Sequence, residues 1–422
     1  NLALIKPVIV VKSGVSRSGV PPGHRVRRTK ARPAVFKAML KQAGVLRVEN
    51  VHQLFDIAQL LATQPLPRGD RVAIVGNSTA LGTLTADACT SWGLKVAHGP
   101  VSLPSEATAA QFRTALAAAF ADPKVDSVLT CFIPPLVTND EDVAAAVRDM
   151  AHGADKPCAA TFLGMRGVDD GHSSVTGTGG STQAIPVYAM PEDAVRALAA
   201  ATRYGAWRSK DHGVPVAPAG INRRIAEDIV ETVLAMEPKG RRLTSDESTA
   251  LLQAYGIDVW TKQEVSTVDE AVAAAEQVGY PVVLKSTAPM VRHQGGTSGV
   301  RVDLRTEAAL RAAWESLTER LAPLDADRLV VQRMATPGVP CVVTSDEDPL
   351  FGPVIGFSVA GLPTELLGDI GYRIPPLTDV DVSELISSVK ASPVLHGHRG
   401  ATPVNRAALA DLIARVSVVA DA

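Results

Sequence analysis

The sequence of 422 residues has few aromatic side chains and almost no net charge. Phe, Trp and Tyr make up 4% of it, and 42 Lys and Arg residues stand against 44 Asp and Glu residues. Proteins that bind nucleic acid usually need a basic surface and aromatic rings on which bases stack. Because this composition offers neither, we do not expect nucleic acid as a partner.

Cysteine is also scarce. The four cysteines, Cys89, Cys131, Cys158 and Cys341, lie far apart and form no CxxC pair. This pattern excludes a disulfide framework and a zinc knuckle, both of which need closely spaced cysteines. We therefore expect reduced, mostly buried thiols in a cytoplasmic protein.

Long hydrophobic runs are missing as well. No run approaches the roughly 18 apolar residues of a membrane-spanning helix, and residues 1–11 lack the charged segment and cleavage site of a signal peptide. We expect a soluble protein. Because residues 1–11 enter an apolar strand directly and residues 406–422 form an amphipathic helix pattern, we expect the chain to be the middle of a longer protein.

Short β-branched runs alternate with helical periodicity along the chain. Runs typical of strands occur at residues 7–11, 71–75, 127–129 and 282–284. Such alternation favours an α/β class with parallel sheets, whose strands are apolar on both faces. At roughly 150 residues per domain, the length predicts about three domains. A Pro/Gly-rich stretch within 210–220 marks the major boundary.

The same patterns predict individual elements on both sides of this boundary. Thr244 and Glu247 have the spacing of a capping box, which predicts a helix that ends before Gly256, followed by a strand from Ile257. Further helices are expected over 33–44, 51–62, 84–92, 191–208, 268–278 and 307–321, and further strands over 45–48, 158–163 and 280–285.

The strongest candidate site combines residues 279–302 with residues 329–339. Lys285 ends an apolar strand and precedes a Gly/Ser/Thr loop whose amides can converge on an anion. This arrangement suits a triphosphate, with Lys285 neutralising phosphate charge. Taken alone, a lysine at a strand end is more often a solvated residue, so that alternative stays open.

A second candidate lies within residues 364–377. Glu365, Asp369 and Arg373 recur there at a helical spacing of four. Carboxylates at this place could hold Mg²⁺ between nucleotide phosphates, because that ion favours one or two carboxylates plus phosphate oxygens. The alternative is a set of surface pairs one helical turn apart.

Histidines provide the third candidate. His24 lies beside basic residues within 25–30, which could stabilise a phosphorylated imidazole through charge-assisted hydrogen bonds. His293 opens the Gly-rich loop of the candidate triphosphate site. His396 and His398 could be a metal pair, but no third ligand lies near them in sequence, so we expect an ordinary loop.

Many separate segments follow the order of a known family. KPVIVVKSG, KQAGVLRVENVHQLFDIAQLL, RVAIVGNSTALG and ADPKVDSVLTCFIPPL resemble the two flavodoxin-like CoA-ligase domains of the NDP-forming acyl-CoA synthetases. LLQAYGIDV, GYPVVLKSTAP, DPLFGPVIGF and TELLGDIGYRIPPL resemble the ATP-grasp half of that family. The resemblance covers nearly the whole chain.

The resemblance implies an α/β fold with two flavodoxin-like, succinyl-CoA ligase-like parallel-sheet domains followed by an ATP-grasp domain. Its implied limits are a partial first flavodoxin-like domain over 1–66, a second over 67–209, a linker with a helix over 210–243, and a C-terminally incomplete ATP-grasp domain over 244–422.

The resemblance also implies an ADP-forming acid-thiol ligase. In the family, acyl-CoA, phosphate and ADP interconvert with carboxylate, CoA and ATP through an acyl phosphate and a phosphohistidine. The implied cofactors are ATP or ADP, Mg²⁺ and coenzyme A. The implied partners are small molecules and a second copy of the chain, without nucleic acid or membrane.

Residues matching the family's motifs receive roles by this resemblance. They are His24 and His293 for catalysis; Lys285, Gly295, Gly296, Gln332 and Arg373 for ATP binding; Asn77 and Ser78 for a turn that meets CoA or phosphate; and Glu365 and Asp369 for the metal.

The sequence departs from the family pattern in several places: the turn from Asn77 to Gly82 lacks the family's Gly-Gly-Pro, and the loops that carry the candidate histidines differ. Around His24, the family's Ser-His-Thr-Gly is replaced by Gly-His-Arg-Val-Arg-Arg, and the loop from His293 to Gly299 lacks the family's lysine and aspartate. These changes favour an alternative, a catalytically silent module that senses acyl-CoA or nucleotide for a fused GNAT-type protein lysine acetyltransferase domain. That fusion rests on family analogy. A biotin-dependent or peptide-like ATP-grasp ligase would leave residues 1–210 unexplained.

Overall fold

The computed structural model divides into two compact units. The first comprises Asn1–Val214, Glu347–Val354 and Tyr372–Ile374, and the second comprises the remaining segments from Pro215 to Ala422. The structure describes residues 2–11, 33–134, 140–163, 185–288, 291, 299–324, 328–349, 351–361, 366–400 and 402–422. Within these ranges, no helix is both long enough and apolar enough to cross a membrane. The finer domain limits given above stay predictions.

The first unit begins with two parallel strands and three helices. These elements are α1 (Leu2–Ile5), β1 (Ile9–Val11), α2 (Pro33–Gln42), β2 (Leu46–Val48) and α3 (Val51–Thr63). Ile9 of β1 lies opposite Leu46 of β2. Asn50 begins α3, because its side chain accepts a hydrogen bond from the Gln53 backbone N–H. The elements predicted over 33–62 are confirmed.

A five-stranded parallel sheet follows in the same unit. Its elements are β3 (Arg71–Gly76), α4 (Thr79–Ser91), β4 (Lys95–Ser102), α5 (Ala109–Ala121), β5 (Ser127–Phe132), α6 (Asp140–Ala151), β6 (Cys158–Phe162), β7 (Val187–Tyr188) and α7 (Pro191–Ser209). The strands lie in the order β4-β3-β5-β6-β7 and all pairs are parallel. This is the flavodoxin-like order 2-1-3-4-5.

Helices cover both faces of this sheet, so its central strands are buried. Every residue of β5 and β6 is buried, and in β3 only Arg71 is exposed. Helices α3, α4 and α7 pack on one face, and α5 and α6 on the other. Phe132 packs edge to face with Phe112 and Phe162, at centroid distances of 5.5 and 5.6 Å. Burial on both faces explains the near-continuous apolar runs.

The second unit contains an antiparallel sheet. Its elements are α8 (Arg223–Met236), α9 (Ser245–Ala254), β8 (Lys262–Val265), α10 (Val268–Val278), β9 (Val282–Ser286), β10 (Val300–Leu304), α11 (Glu307–Leu321) and β11 (Leu329–Arg333). The strands lie in the order β10-β9-β11-β8. Helices α10 and α11 pack against one face, around Leu284 and Val331. The expected parallel sheets therefore do not extend to this sheet.

A three-stranded sheet completes the described structure. Its elements are β12 (Cys341–Asp348), β13 (Gly352–Val359), β14 (Gly371–Arg373), α12 (Asp379–Ser388) and α13 (Arg406–Asp421), with strand order β12-β13-β14. Ile355 and Phe357 of β13 share a core with Leu385 of α12 and Ile413 of α13. Helix α13 confirms the amphipathic pattern seen in the last residues of the sequence.

The four cysteines are free, as the sequence predicts. Cys89, Cys131 and Cys158 are buried, and Cys341 is partly exposed. Burial raises the pKa of the Cys158 thiol to about 12 and that of Cys131 to about 11. At neutral pH these two thiols therefore stay protonated and behave as core residues.

The capping box predicted at Thr244 and Glu247 is confirmed. The Glu247 backbone N–H donates to Thr244 Oγ1, and the Thr244 backbone N–H donates to the Glu247 carboxylate. Arg241 also donates two hydrogen bonds of 2.7 Å to that carboxylate. The Arg241 pair, with smaller help from Thr244, lowers the pKa of Glu247 from 4.5 to about 2.

We expect Glu247→Gln to lower the melting temperature of the second unit at neutral pH. Glutamine preserves the capping box but removes the ion pair. Because the carboxyl pKa is lowered in the folded protein, its stabilising contribution is complete above about pH 4.5 and is lost as the pH falls towards about 2. Thermal melts of both proteins at a series of pH values should therefore converge at low pH. A constant difference down to pH 2 would contradict this assignment.

Candidate active site

Asn77 follows β3 at the carboxyl edge of the parallel sheet. Its Nδ2 donates to the backbone carbonyls of Ser105 (3.0 Å) and Ile133 (2.8 Å), and its Oδ1 accepts from the Ile133 N–H at 2.8 Å. The residue is buried. The Asn77 side chain therefore joins three chain segments and shapes the turn that the sequence assigned to CoA or phosphate.

Ser78 begins α4 at the same edge. The Leu81 backbone N–H donates to Ser78 Oγ at 3.4 Å. At Gly76 a Cβ would lie 2.6 Å from the Cys131 carbonyl oxygen, so glycine permits close approach of β3 and β5. The strand order reverses at β3, where open α/β sheets bind ligands, and a helix N-terminus favours negative charge. This edge can receive an anionic group.

Lys285 lies on β9 of the second unit, beside Gln332 on β11. The Lys285 ammonium donates a hydrogen bond of 2.7 Å to Gln332 Oε1. Gln332 Nε2 in turn donates to the Trp260 carbonyl at 2.8 Å. Lys285 and Gln332 are both partly buried. The structure thus brings together two residues that the sequence assigned to ATP.

The pairing register shows which side chains share a face with Lys285. Val330 lies between Lys285 and Glu264 in one cross-strand row, and Gln332 lies beside Lys262 in the next. Directly opposed residues of an antiparallel sheet point to the same side. This side is opposite to the one that packs against α10 and α11. Polar and charged side chains therefore surround Val330 on this side, and Val330 itself is buried.

Sequence reasoning missed Trp260, Lys262 and Glu264. The alternation in KQEV does place residues 262 and 264 on one face of a strand. It does not reveal which strand lies next to it, and Trp260 and Gln332 are 72 positions apart. The register of β8 against β11 places Lys262 and Glu264 on the same face as Lys285, and a hydrogen bond to Gln332 brings the Trp260 carbonyl alongside.

Asp369, predicted as a metal ligand, binds the backbone. Its Oδ1 accepts from the Lys390 N–H and its Oδ2 from the Ala391 N–H, both at 2.8 Å. The carboxylate thus fixes the segment that follows α12. Its metal role stays a prediction.

The helical spacing predicted for Asp369 and Arg373 is wrong. Asp369 lies in an irregular segment, whereas Arg373 ends strand β14. Gly368 has a positive φ of 61° and Gly371 begins strand β14, so neither glycine continues a helix. Arg373 is buried and donates to the Tyr372 carbonyl. A surface pair of Asp369 and Arg373 one helical turn apart is therefore excluded. The ATP-binding role of Arg373 stays a prediction.

Among the described residues, one group could offer three metal ligands: His52, Asp56 and Asp193. Arg196 forms ion pairs with Asp56 at 2.9 Å and with Asp193 at 2.7 Å. Because the Arg196 guanidinium already pairs with both carboxylates, we assign no metal there. His396 and His398 lie in 3-10 turns outside this group.

Five predicted site residues lie outside the described residues. They are His24, His293, Gly295, Gly296 and Glu365. Their assignments remain those of the sequence.

Two family models match the chain. One describes an ATP-grasp domain and matches residues 234–422, and the other describes a succinyl-CoA ligase like flavodoxin domain and matches residues 1–61. Together with the parallel sheet and the Lys285 face, they define a protein that combines flavodoxin-like CoA-ligase and ATP-grasp domains.

Curated relatives narrow this class. The chain is 32% identical to acetate–CoA ligase (ADP-forming) I of Archaeoglobus fulgidus, over 99% of this chain and 62% of that protein. It is 34% identical to the beta subunit of acetate–CoA ligase (ADP-forming) I of Pyrococcus furiosus, over 46% of this chain and 84% of the subunit. The chain belongs to the NDP-forming acyl-CoA synthetase family.

A solved structure is also similar. Dinucleotide forming acetyl-coenzyme A synthetase 1 of Ca. Korarchaeum cryptofilum, in complex with coenzyme A and Mg-AMPPCP, is 33% identical over 46% of this chain and 85% of that chain, with a TM-score of 0.39. The chain spans 62% of the length of the Archaeoglobus fulgidus ligase and of the 4-hydroxybutyrate–CoA ligase (ADP-forming) of Nitrosopumilus maritimus.

Proposed function

We propose that the chain is part of an ADP-forming acyl-CoA synthetase, which interconverts acyl-CoA, ADP and phosphate with carboxylate, CoA and ATP. The observation that carries this proposal is the similarity to the Archaeoglobus fulgidus ligase over 99% of the chain, which includes both compact units. Coenzyme A and ATP or ADP are the corresponding cofactors, together with Mg²⁺.

The proposed reaction has three steps. A phosphate oxygen attacks the thioester carbon of acyl-CoA, the CoA thiolate leaves, and an acyl phosphate forms. A histidine nitrogen then takes the phosphoryl group and releases the carboxylate. Finally, an oxygen of the ADP β-phosphate takes the phosphoryl group from the histidine and ATP forms. His24 and His293 are the candidates for this histidine by family resemblance.

The described residues contribute binding groups to this scheme. The Lys285 ammonium would neutralise nucleotide phosphate charge, as a lysine point charge does in other phosphate sites. The N-terminus of α4 would receive an anionic group at the carboxyl edge of the parallel sheet. The metal role of Asp369 stays a prediction, because its described contacts are to two backbone N–H groups. We therefore derive no step through the metal.

A phosphohistidine should form when the full-length protein is incubated with γ-labelled ATP. The label should be acid-labile and base-stable, because phosphohistidine hydrolyses in acid. We expect it to disappear from the double variant His24→Ala, His293→Ala and to persist in His398→Ala, a histidine outside the proposed chemistry. Absence of label in the wild type, or full label in the double variant, would contradict the proposal.

The second candidate function is the silent sensing module described above. It is favoured by the changed sequences around His24 and in the loop 293–299. This module should show a higher melting temperature with MgADP or acetyl-CoA but no turnover. An unchanged melting temperature with both ligands would rule it out.

The proposed function also includes the oligomeric state and the cellular location of the protein. We expect a homo-oligomer and a cytoplasmic enzyme, in line with the free thiols. A fused GNAT domain is part of the sensing alternative. Size-exclusion chromatography with light scattering of the full-length protein would test the oligomer.

A further inference from the structure

We propose that Gln332 is a positioning residue, which orients the Lys285 ammonium and does not itself contact the nucleotide. This inference rests on the proposed function, because it assumes a nucleotide at Lys285. It changes the role that the sequence assigned to Gln332, which was direct ATP binding.

The side-chain amide of Gln332 is engaged at both ends. Its oxygen accepts from Lys285 at 2.7 Å and its nitrogen donates to the Trp260 carbonyl at 2.8 Å. These two bonds fix the plane of the amide and therefore the direction of the lone pair that faces Lys285. Gln332 Oε1 thus orients the Lys285 ammonium, while the Trp260 carbonyl, in the segment before β8, fixes Gln332 Nε2.

Backbone pairing keeps this arrangement rigid. Gln332 is paired in register with Val283 on β9 and with Lys262 on β8, so it sits on the central strand of three. Its neighbour Val331 is fully buried in the core beneath. Gln332 therefore has a fixed backbone from which to orient a flexible side chain on the next strand.

Orienting a lysine before a ligand arrives reduces the entropy lost on binding. A lysine side chain has four flexible carbons and a large rotamer entropy, part of which is lost when it binds an anion. A hydrogen bond that already orders the ammonium lowers this loss, as other preorganised groups do. Loss of the Gln332 acceptor should therefore weaken nucleotide binding only through Lys285.

The decisive experiment is a double-mutant cycle on the full-length protein. The dissociation constant of MgADP is measured by calorimetry for wild type, Gln332→Met, Lys285→Met and the double variant. We expect Gln332→Met to weaken binding about tenfold, because a lysine that is not ordered in advance loses more rotamer entropy on binding. In the Lys285→Met background the same change should have almost no further effect.

A matched control is Gln263→Met. Gln263 lies on β8 but belongs to the opposite face of the sheet, and its Nε2 donates to Gln277 Oε1 at 2.8 Å. It does not bond Lys285, so MgADP binding should stay unchanged in this variant. An equal loss in both glutamine variants would show a general effect on the sheet and overturn the proposal.

A second measurement reads the Lys285 amine without any nucleotide. Competitive acetylation with acetic anhydride, followed by mass spectrometry, gives the relative reactivity of each lysine. Gln332→Met should make Lys285 react severalfold faster, since an acceptor stabilises the charged, unreactive ammonium. Gln332→Glu, which keeps an acceptor and adds a negative charge, should make it react more slowly. Both variants should melt near the wild-type temperature.

The possible failures can be told apart. Additive losses in the cycle would mean that Gln332 touches the nucleotide itself, and an unchanged dissociation constant in Gln332→Met would mean that it positions nothing. Either result overturns the positioning role while leaving the proposed function intact. If wild-type protein does not bind MgADP, the proposed function fails, and the positioning role fails with it even where the acetylation rates differ.

Discussion

Replacing Lys285 with methionine should weaken MgADP binding by about 30- to 100-fold, the loss expected for a charge-assisted contact to phosphate of about 2 to 3 kcal/mol. Methionine keeps most of the apolar stem, so the β9 strand and the fold should persist. Calorimetric titration with MgADP measures the effect, and a thermal melt without ligand shows whether the variant is folded.

Lys262→Met provides the control for this prediction. Lys262 lies on the same face of the sheet as Lys285, but in the row of Gln332 and one strand further away. Removing its charge should change the MgADP dissociation constant less than threefold, because more distant charges are screened by salt. Equal losses in the two lysine variants would indicate a general electrostatic effect and contradict a specific role of Lys285.

Asn77→Ala should destabilise the first unit by about 3 kcal/mol, since buried backbone groups of Ser105 and Ile133 lose their partners. The three hydrogen bonds concerned are 2.8 to 3.0 Å long. Urea denaturation measures the total change. Hydrogen exchange should show faster opening of β3 and β5, the strands that the Asn77 side chain holds at their carboxyl ends.

Asn50→Ala is the matched control. Asn50 lies in the same unit and makes one exposed hydrogen bond, to the Gln53 N–H, as the N-cap of α3. Its loss should cost about 1 kcal/mol. If the Asn77 variant were no less stable than the Asn50 variant, the Asn77 side chain would not hold the turn. Direct contact with a ligand would then be the better explanation for an asparagine at position 77.

Local patterns predicted most individual elements. Helices over 268–278 and 307–321 have the predicted bounds, and the capping box at Thr244 begins α9. These features depend on periodicity and on residues three or four positions apart, which the sequence displays directly. Bounds shifted where a cap was overlooked: α4 begins at Thr79, earlier than the predicted 84, because Ser78 caps it.

Features set by distant residues could not be predicted in this way. The partners of Asn77 lie 28 and 56 positions away, so its hydrogen bonds to the backbone could not be predicted from its neighbours in sequence, and its assignment to ligand binding stays a prediction. Likewise, only the register of β8 against β11 places Glu264 on the face of Lys285, and only the fold brings the Trp260 carbonyl to Gln332. The regular spacing of Asp369 and Arg373 misled because the two glycines between 367 and 372 were not weighed as helix breakers.

The proposed reaction is tested most directly by ATP formation. The full-length protein is mixed with acetyl-CoA, MgADP and phosphate, and ATP and free CoA are measured together. An acyl-CoA synthetase should form both products in equal amounts, only when phosphate is present, and much more slowly in the Lys285→Met variant. If a folded protein binds MgADP and acetyl-CoA but forms no ATP with acetyl-CoA or with other acyl-CoA thioesters, the synthetase proposal is contradicted.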